Sequence, residues 1–396
     1  MKYDSHNQTA KPRTRAALKR FSSDTLAVCG LIGVGILLLI AISAPLLANR
    51  RPLLLYSDAA FSWPFLRYIF APDSPEKLVE ATFNYLLIFI PIVLIVCFAL
   101  RRFKVIRNYL LLFGAILLLI PFILVSPKLD TGTDWHKRCA KLAVGEFAIF
   151  APVPYGPFEQ TAKPYEYPSK IHYLGTDQIG RDVLARMIYG ARVSLAVGIF
   201  ATALALIIGT SVGLAAGFFR GKIDLIIMRV VEIVICFPTF LLLLILMSIL
   251  SDRKFNQSIL IVIAVIGLTG WTGLCRLVRG EVLKQRALPY IQSCEALGLP
   301  TWRIMLFHLL PNISGPILVA FTFGVAGAII AESGLSFLGF GVQPPTASWG
   351  ELLRQAFSDP FAYRHLTFCP GIALFLSVCA FNFTGEGLRK FFDPKA

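Results

Sequence analysis

Eight apolar stretches dominate the chain, each long enough to cross a hydrocarbon core of about 30 Å as a helix. They cover residues 26–47, 83–100, 109–125, 193–219, 225–250, 259–274, 313–330 and 368–384. Helix is the required conformation, because backbone groups in lipid must be satisfied within their own segment. The expected fold is therefore an all-α polytopic membrane protein with about eight transmembrane helices. Charged residues make up only 15% of the chain, against about 25% in soluble proteins. That deficit follows if much of the surface meets lipid. The net charge of +15 does not form one basic face. It gathers in short segments between apolar runs, a pattern that sets membrane orientation and argues against a nucleic-acid partner.

Orientation is read from those segments. Lys2, Lys11, Arg13, Arg15, Lys19 and Arg20 precede the first run and place the amino terminus, residues 1–25, inside. Arg101, Arg102, Lys104 and Arg107 mark the next inside loop, Arg220 and Lys222 the third. Arg276, Arg279, Lys284, Arg286 and Arg303 mark the fourth, and Arg389, Lys390 and Lys395 the carboxyl end. Both termini are thus expected in the cytoplasm, with residues 126–192 outside. The first run exceeds a signal-peptide core, and no A-x-A site precedes Asn49, so a retained anchor is expected.

Within the runs, Gly209, Gly213 and Gly217 form a small-residue ridge that lets helix backbones approach closely. Pro238 lacks an N–H and must bend or break its span. Arg229 and Glu232, three residues apart, can neutralise each other. No cysteine pair has CxxC spacing, so neither zinc nor a redox dithiol is expected.

The inside segment 276–312 is longer than a turn needs and carries its own helical grammar. Pro289 suits a first helical turn, Tyr290 to Leu297 can form a short helix, and Gly298 stands where a helix end needs positive φ. Pro300 opens a second helical stretch, 301–309, which Pro311 is expected to close. Two short amphipathic helices at a membrane face suit a docking element.

Tyr290-Ile-Gln-Ser-Cys-Glu-Ala-Leu-Gly298, nine further residues, and His308-Leu-Leu-Pro311 resemble the EAA loop of ABC-importer permeases. Leu268-Thr-Gly-Trp-Thr-Gly273 with Arg276-Leu-Val-Arg-Gly-Glu281 is similar to the stretch before that loop in dipeptide and oligopeptide permeases. Leu335-Ser-Phe-Leu-Gly-Phe-Gly-Val-Gln-Pro-Pro345 with Ser348-Trp-Gly350 resembles their following outside loop. Leu174-Gly-Thr-Asp-Gln-Ile-Gly-Arg-Asp182 resembles their G-T-D-x-x-G-R-D segment. Gly385-Glu-Gly-Leu-Arg389 and Asp393-Pro394 match their carboxyl end. On these motifs the chain resembles the C-type subunit of the dipeptide/oligopeptide/nickel permeases, a type I (MetI-like) fold. Residues 46–65 and 150–173 resemble the microcin C branch.

The resemblance implies a six-helix permease core. The first helix is residues 26–47 and the rest lies in 172–396, with the coupling loop at 276–312. Residues 48–171 would form outside loops around an inserted hairpin, 83–125. The implied partners are a second permease subunit, two ATP-binding-cassette ATPases, an extracytoplasmic solute-binding protein and membrane lipid. Tyr290, Ile291, Gln292, Ser293, Glu295, Ala296, Leu297, Gly298, Leu310 and Pro311 would couple to the ATPase, with Ile291 and Leu297 as apolar anchors. The motif's glutamate and both alanines are replaced by Gln292, Ser293 and Cys294, and Glu295, one turn on, could supply the lost charge. Outside, Gly175, Thr176, Asp177, Gly180, Arg181 and Asp182 have turn chemistry before an amphipathic run, 183–189, expected to lie on the membrane surface behind a capped start.

No catalytic residue, metal or cofactor is expected in the chain, ATP being handled by partner subunits. Gly217-Phe-Phe-Arg-Gly-Lys222 is one residue short of a phosphate loop, and Ile223 stands where Ser or Thr is needed. No H-E-x-x-H occurs, and His6, His136, His172, His308 and His365 all lie outside the span interiors. The alternative transporter class is an ion-coupled secondary carrier, which would show midplane carboxylates and inverted repeats. Neither is evident in the sequence.

Overall fold

The structure, a computed structural model, describes residues 21–57, 60–70, 74–99, 134–140, 142, 145–251 and 258–392, with Arg101, Asn108, Leu111 and Gly114. In chain order its elements begin with α1 (Thr25–Ile42), α2 (Ala44–Leu47), β1 (Leu54–Ser57), β2 (Ala60–Ser62), α3 (Pro64–Phe70) and α4 (Lys77–Ala99). Then come α5 (Trp135–Cys139), β3 (Phe147–Ile149), α6 (Val183–Phe219), α7 (Gly221–Ile235), α8 (Thr239–Ser251) and α9 (Ser258–Arg286). The last are α10 (Pro289–Ala296), α11 (Thr301–Arg303), a π-helical turn (Ile304–Leu309), α12 (Leu310–Phe337), α13 (Trp349–Gln355) and α14 (Arg364–Phe392). Among the described residues, six helices are long and apolar enough to cross a membrane. The pair α7 and α8, bent by 80°, makes a seventh crossing if taken together. The expected eighth span, 109–125, lies outside the described residues except for Leu111 and Gly114.

Packing shows which way each helix runs. The Gly209, Gly213 and Gly217 ridge of α6 lies against α9: a Cβ at these glycines would meet Leu274, Cys275 and Val282 at 2.7 Å. Both sets of numbers rise together, so α6 and α9 run parallel. The chain must then return across the membrane between them, and the bent pair α7–α8 makes that crossing. Pro238 in the break explains the bend, as the missing N–H requires. By the same reasoning α1 is antiparallel to α14, since Gly30 meets Phe383 and Gly33 meets Ala380. Antiparallel too are α12 and α6, with Gly198 against Ile329 and Gly324 against Thr202. The start of α1, the ends of α6, α9 and α14, and helix α10 therefore share one membrane face. Asp24 joins the first and last of these helices, capping α1 through the Leu26 amide (3.1 Å) while accepting from Lys390 Nζ at 2.7 Å. That bond holds the Asp24 carboxyl below its usual range.

The ridge makes a direct test. Gly213→Leu forces a side chain into the Cys275 carbonyl and Val278, atoms that cannot swing aside. Overpacking of this kind costs about 1–3 kcal/mol, so the detergent-purified variant should melt several degrees below the parent. Gly273→Leu, with nothing within 4 Å of its Cβ position, should not.

Several helices are longer than their apolar runs. Helix α4 starts at Lys77 instead of 83, α6 at Val183 instead of 193, and α9 reaches Arg286 instead of 274. Helix α12 spans Leu310–Phe337 and α14 Arg364–Phe392, where 313–330 and 368–384 were expected. The physical reason is pairing: hydropathy stops at a charge, but Arg186 and Arg192 sit fully buried inside α6 because acids meet them there. The run 183–189 is accordingly no surface helix but the first turns of α6, capped as expected by Asp182 Oδ1 on the Ala185 amide at 2.8 Å. Nor does Pro311 close a helix. It stands in the first turn of α12, where an amide would lack a partner anyway, and the chain continues through it.

The inserted region adds something not foreseen, a small antiparallel sheet in the order β2-β1-β3. Tyr56 pairs with Phe61 on one side and Phe147 on the other. Helix α4 is anchored in the core rather than packed on its flank. Arg192 of α6 pairs with Glu80 and donates to Asn84 Oδ1 at 2.8 Å, both from α4, and to the Ala41 carbonyl of α1 at 2.6 Å. Glu76 Oε1 accepts the Ile259 amide at the start of α9, 3.2 Å away.

Candidate functional site

At the face shared by the start of α1 and the end of α14, α9 runs past its apolar part and hands the chain to α10. Pro289 opens α10 at its first position, as the sequence predicts. The helix stops at Leu297, and Gly298 takes φ +71°, where a side chain would be strained even though nothing lies within 4 Å. The chain then reverses through Pro300 into α11, the π turn and α12.

This segment has an inner and an outer side. Ile291 is fully buried, packed with Leu214, Val278, Val282, Ile304, Leu309 and Ile313. It therefore anchors α10 to its own chain, not to a partner. Leu297 does the reverse and is 80% exposed. Gln292, Ser293, Glu295, Ala296, Gly298 and Pro311 are exposed as well, while Tyr290 and Leu310 are half-buried. Tyr290 donates to Gln285 Oε1 at 2.9 Å and accepts from Asn312 Nδ2 at 3.3 Å, so it ties the end of α9 to the start of α12. Burial raises its phenol above the ordinary pKa. Ser293 Oγ donates to the Pro289 carbonyl at 2.9 Å, and Gln292 leaves its amide near the surface.

Arg286 is the residue that sequence reading missed as a tie. Its guanidinium donates to the Phe218 carbonyl at the end of α6, stacks 4.7 Å over the Phe218 ring, and pairs with Glu295 at 3.2 Å. Glu295 is thus engaged within the chain, and does not stand free as a replacement for the charge missing at Gln292. The pair therefore links α10 to the ends of both α6 and α9. Its signal in the sequence was only one arginine among several in a basic loop. Around this turn Leu288, Trp302, Leu306 and Phe307 stand exposed, as Leu297 does, and the Trp302 and Phe307 rings meet edge to face.

At the opposite membrane face, the recognised motifs interlock. Gly175, Thr176, Asp177, Gly180, Arg181 and Asp182 are all buried. Asp177 Oδ2 holds Arg181 at 2.6 Å and Arg186 at 3.3 Å, and Arg186 reaches Glu351 of α13 at 2.7 Å. Burial, and after it the like charge of Arg186, pulls Arg181 below its ordinary pKa. Asp182 also pairs with His172 at 2.9 Å, and Trp349 Nε1 donates to the Met187 carbonyl at 3.1 Å. Glu332, fully buried near the end of α12, accepts from Ser336 at 2.7 Å and from Ser194 of α6 at 3.2 Å. These contacts hold that end of the fold together. The motif residues there are structural staples.

Two family profiles match this architecture. "Binding-protein-dependent transport system inner membrane component" matches residues 209–396, which include the whole hinge. "N-terminal TM domain of oligopeptide transport permease C" matches residues 13–64. The glutathione transport system permease protein GsiD of Pectobacterium atrosepticum is 40% identical over 230 residues, 58% of this chain and 75% of that protein. Its counterparts in Escherichia coli O6:K15:H31 and Salmonella typhimurium are 39% and 40% identical over 228 residues, each 74% covered. The chain belongs to the family of binding-protein-dependent transport system inner-membrane components. It is a permease subunit of an ABC importer, a multi-pass inner-membrane protein of the oligopeptide permease kind. In this permease the segment 289–311 presents a partly apolar surface, with Leu297, Trp302, Leu306 and Phe307 exposed.

Proposed function

We propose that this permease carries peptides or peptide-like solutes into the cell, driven by ATP hydrolysed on two separate ATPase subunits. One of these seats on α10 and the turn at Gly298. The supporting observation is the division of labour within α10: Ile291 and Arg286 lock the helix to its own chain, while Leu297 and the surface beside it stay uncovered. Closure of the ATPases moves α10. Arg286 passes that movement to the ends of α6 and α9, and the pathway opens outward. Both chain ends lie with α10 on the cytoplasmic side. The pathway is completed by a second, distinct permease, and a solute-binding protein delivers cargo to the opposite face. ATP is not handled here, and residues 217–219, where a phosphate loop would begin, are helical. The solute class follows the relatives, which are named for glutathione, itself a small peptide.

Affinity purification from membranes in mild detergent tests this reading. Two ATPases and a second permease should co-purify, and a binding protein carrying a peptide-like ligand should associate with the complex. Recovery of the chain without ATPases, together with uptake abolished by an uncoupler and unaffected by ATP depletion, would favour the ion-coupled alternative.

A further inference from the structure

Between α7 and α9 lies a cleft of about 690 Å³, lined by Asp224, Met228, Arg229, Glu232, Arg276 and Arg279 among others. Its charges do not balance. Arg279 is committed to Asp224, with Nε on Oδ1 at 2.5 Å and Nη2 on Oδ2 at 2.6 Å. Arg229 pairs with Glu232 along α7 at 2.6 Å. Arg276 is exposed, lines the same cleft, and forms no ion pair or side-chain hydrogen bond among the described residues. Two carboxylates thus face three guanidiniums, and Arg276 is the one left over.

Its depth decides what could meet it. Ser258 begins α9, so Arg276 lies about 27 Å along the helix axis. That is close to the far edge of a hydrocarbon core of about 30 Å, at the membrane face shared with α10. Phosphate groups of lipids sit at that level. The neighbouring flank of α7 offers Leu225, Ile226 and Ile233, all exposed and apolar, along which acyl chains can lie. Basic pockets between membrane helices on the cytoplasmic side are suited to anionic headgroups, and a guanidinium fork matches phosphate oxygens in pairs.

We infer that the α7–α9 cleft is a binding site for one anionic phospholipid, whose phosphate is held by Arg276 while its chains follow the apolar flank of α7. Asp224–Arg279 is the one ion pair joining α7 to α9 among the described residues, so a lipid there also braces the arm of the broken span.

The test uses the full-length chain with whatever subunits co-purify, stripped of lipid in detergent and titrated with phosphatidylglycerol or phosphatidylcholine of identical acyl chains. Native mass spectrometry counts the lipids retained. The parent should hold one phosphatidylglycerol with about a tenfold preference over phosphatidylcholine, the equivalent of one charge-assisted contact. Arg276→Gln should abolish that preference. Arg276→Lys, which keeps the charge and loses the fork, should retain part of it and covers the case in which Arg276→Gln does not fold. Lys222→Gln, a nearby basic residue outside the cleft, should leave it unchanged. An unaltered preference in Arg276→Gln, or an equal loss in Lys222→Gln, would overturn the site. Displacement by equimolar inorganic phosphate would overturn the lipid as its occupant and leave a free-anion site.

Discussion

Gly298→Asp is expected to reduce solute uptake at least about tenfold while the transporter still assembles. The backbone there holds φ +71°. A residue with a Cβ pays about 1–2 kcal/mol to stay in that region, and about 1.4 kcal/mol is a tenfold change in an equilibrium. Because nothing lies within 4 Å of the missing Cβ, the strain is met by shifting the turn and not by unfolding the core. The added carboxylate also stands three residues from Glu295, inside the surface offered to the ATPase. Gly298→Asn isolates the charge, since asparagine matches aspartate in size and in its tolerance of positive φ but lacks the carboxylate. It should keep more of the uptake than Gly298→Asp. Transport assays in proteoliposomes, with subunit stoichiometry measured in parallel, check both variants. Parental uptake by Gly298→Asp would remove the hinge from the mechanism.

The second large effect is on folding. Arg192→Met leaves the Glu80 carboxylate, 4% exposed as a residue, without its cation, and strips donors from Asn84 and the Ala41 and Ile42 carbonyls. Breaking a buried pair by removing one partner costs about 3–5 kcal/mol, a large share of a membrane protein's stability. Thermal unfolding of the purified variant should shift far below the parent, and the yield of folded protein should fall. Adding Glu80→Leu removes the orphaned charge and should restore part of the loss. The contrast is Arg229→Ala. Its pair with Glu232 lies at 2.6 Å, but its side chains are 70% and 59% exposed, so the change should stay within about 0.5 kcal/mol. Equal effects at the two sites would mean that burial is not what makes the Arg192 pair matter.

Most of the spans were legible because hydrophobic runs of membrane length have few other uses. Local chemistry was legible as well: the break at Pro238, the cap at Asp182, the positive φ at Gly298 and the packing ridge at Gly209, Gly213 and Gly217 each follow from one residue's own constraints. What the sequence hid were relations between distant residues. Nothing local marks Arg192 as the partner of Glu80, 112 positions away. For that reason helix α4 was legible only as half of an inserted hairpin, and α6 seemed to begin ten residues late. At the candidate site the same blindness misplaced Ile291 and Glu295. An apolar residue and a charge on a docking helix look alike whether they face a partner or their own chain. Only the positions of Val282, Leu309 and Arg286 decide between these.

Maleimide labelling of single cysteines in sealed membrane vesicles addresses the hinge most directly. In a cysteine-free background carrying the complete transporter, Leu297→Cys should be unreactive toward an impermeant reagent in right-side-out vesicles. In inverted vesicles it should react slowly, then quickly once the ATPases are stripped away. Tyr167→Cys, exposed at the opposite face, should show the reverse sidedness. Labelling of Leu297→Cys from the right-side-out face, or at a rate indifferent to the ATPases, would contradict the proposed coupling surface.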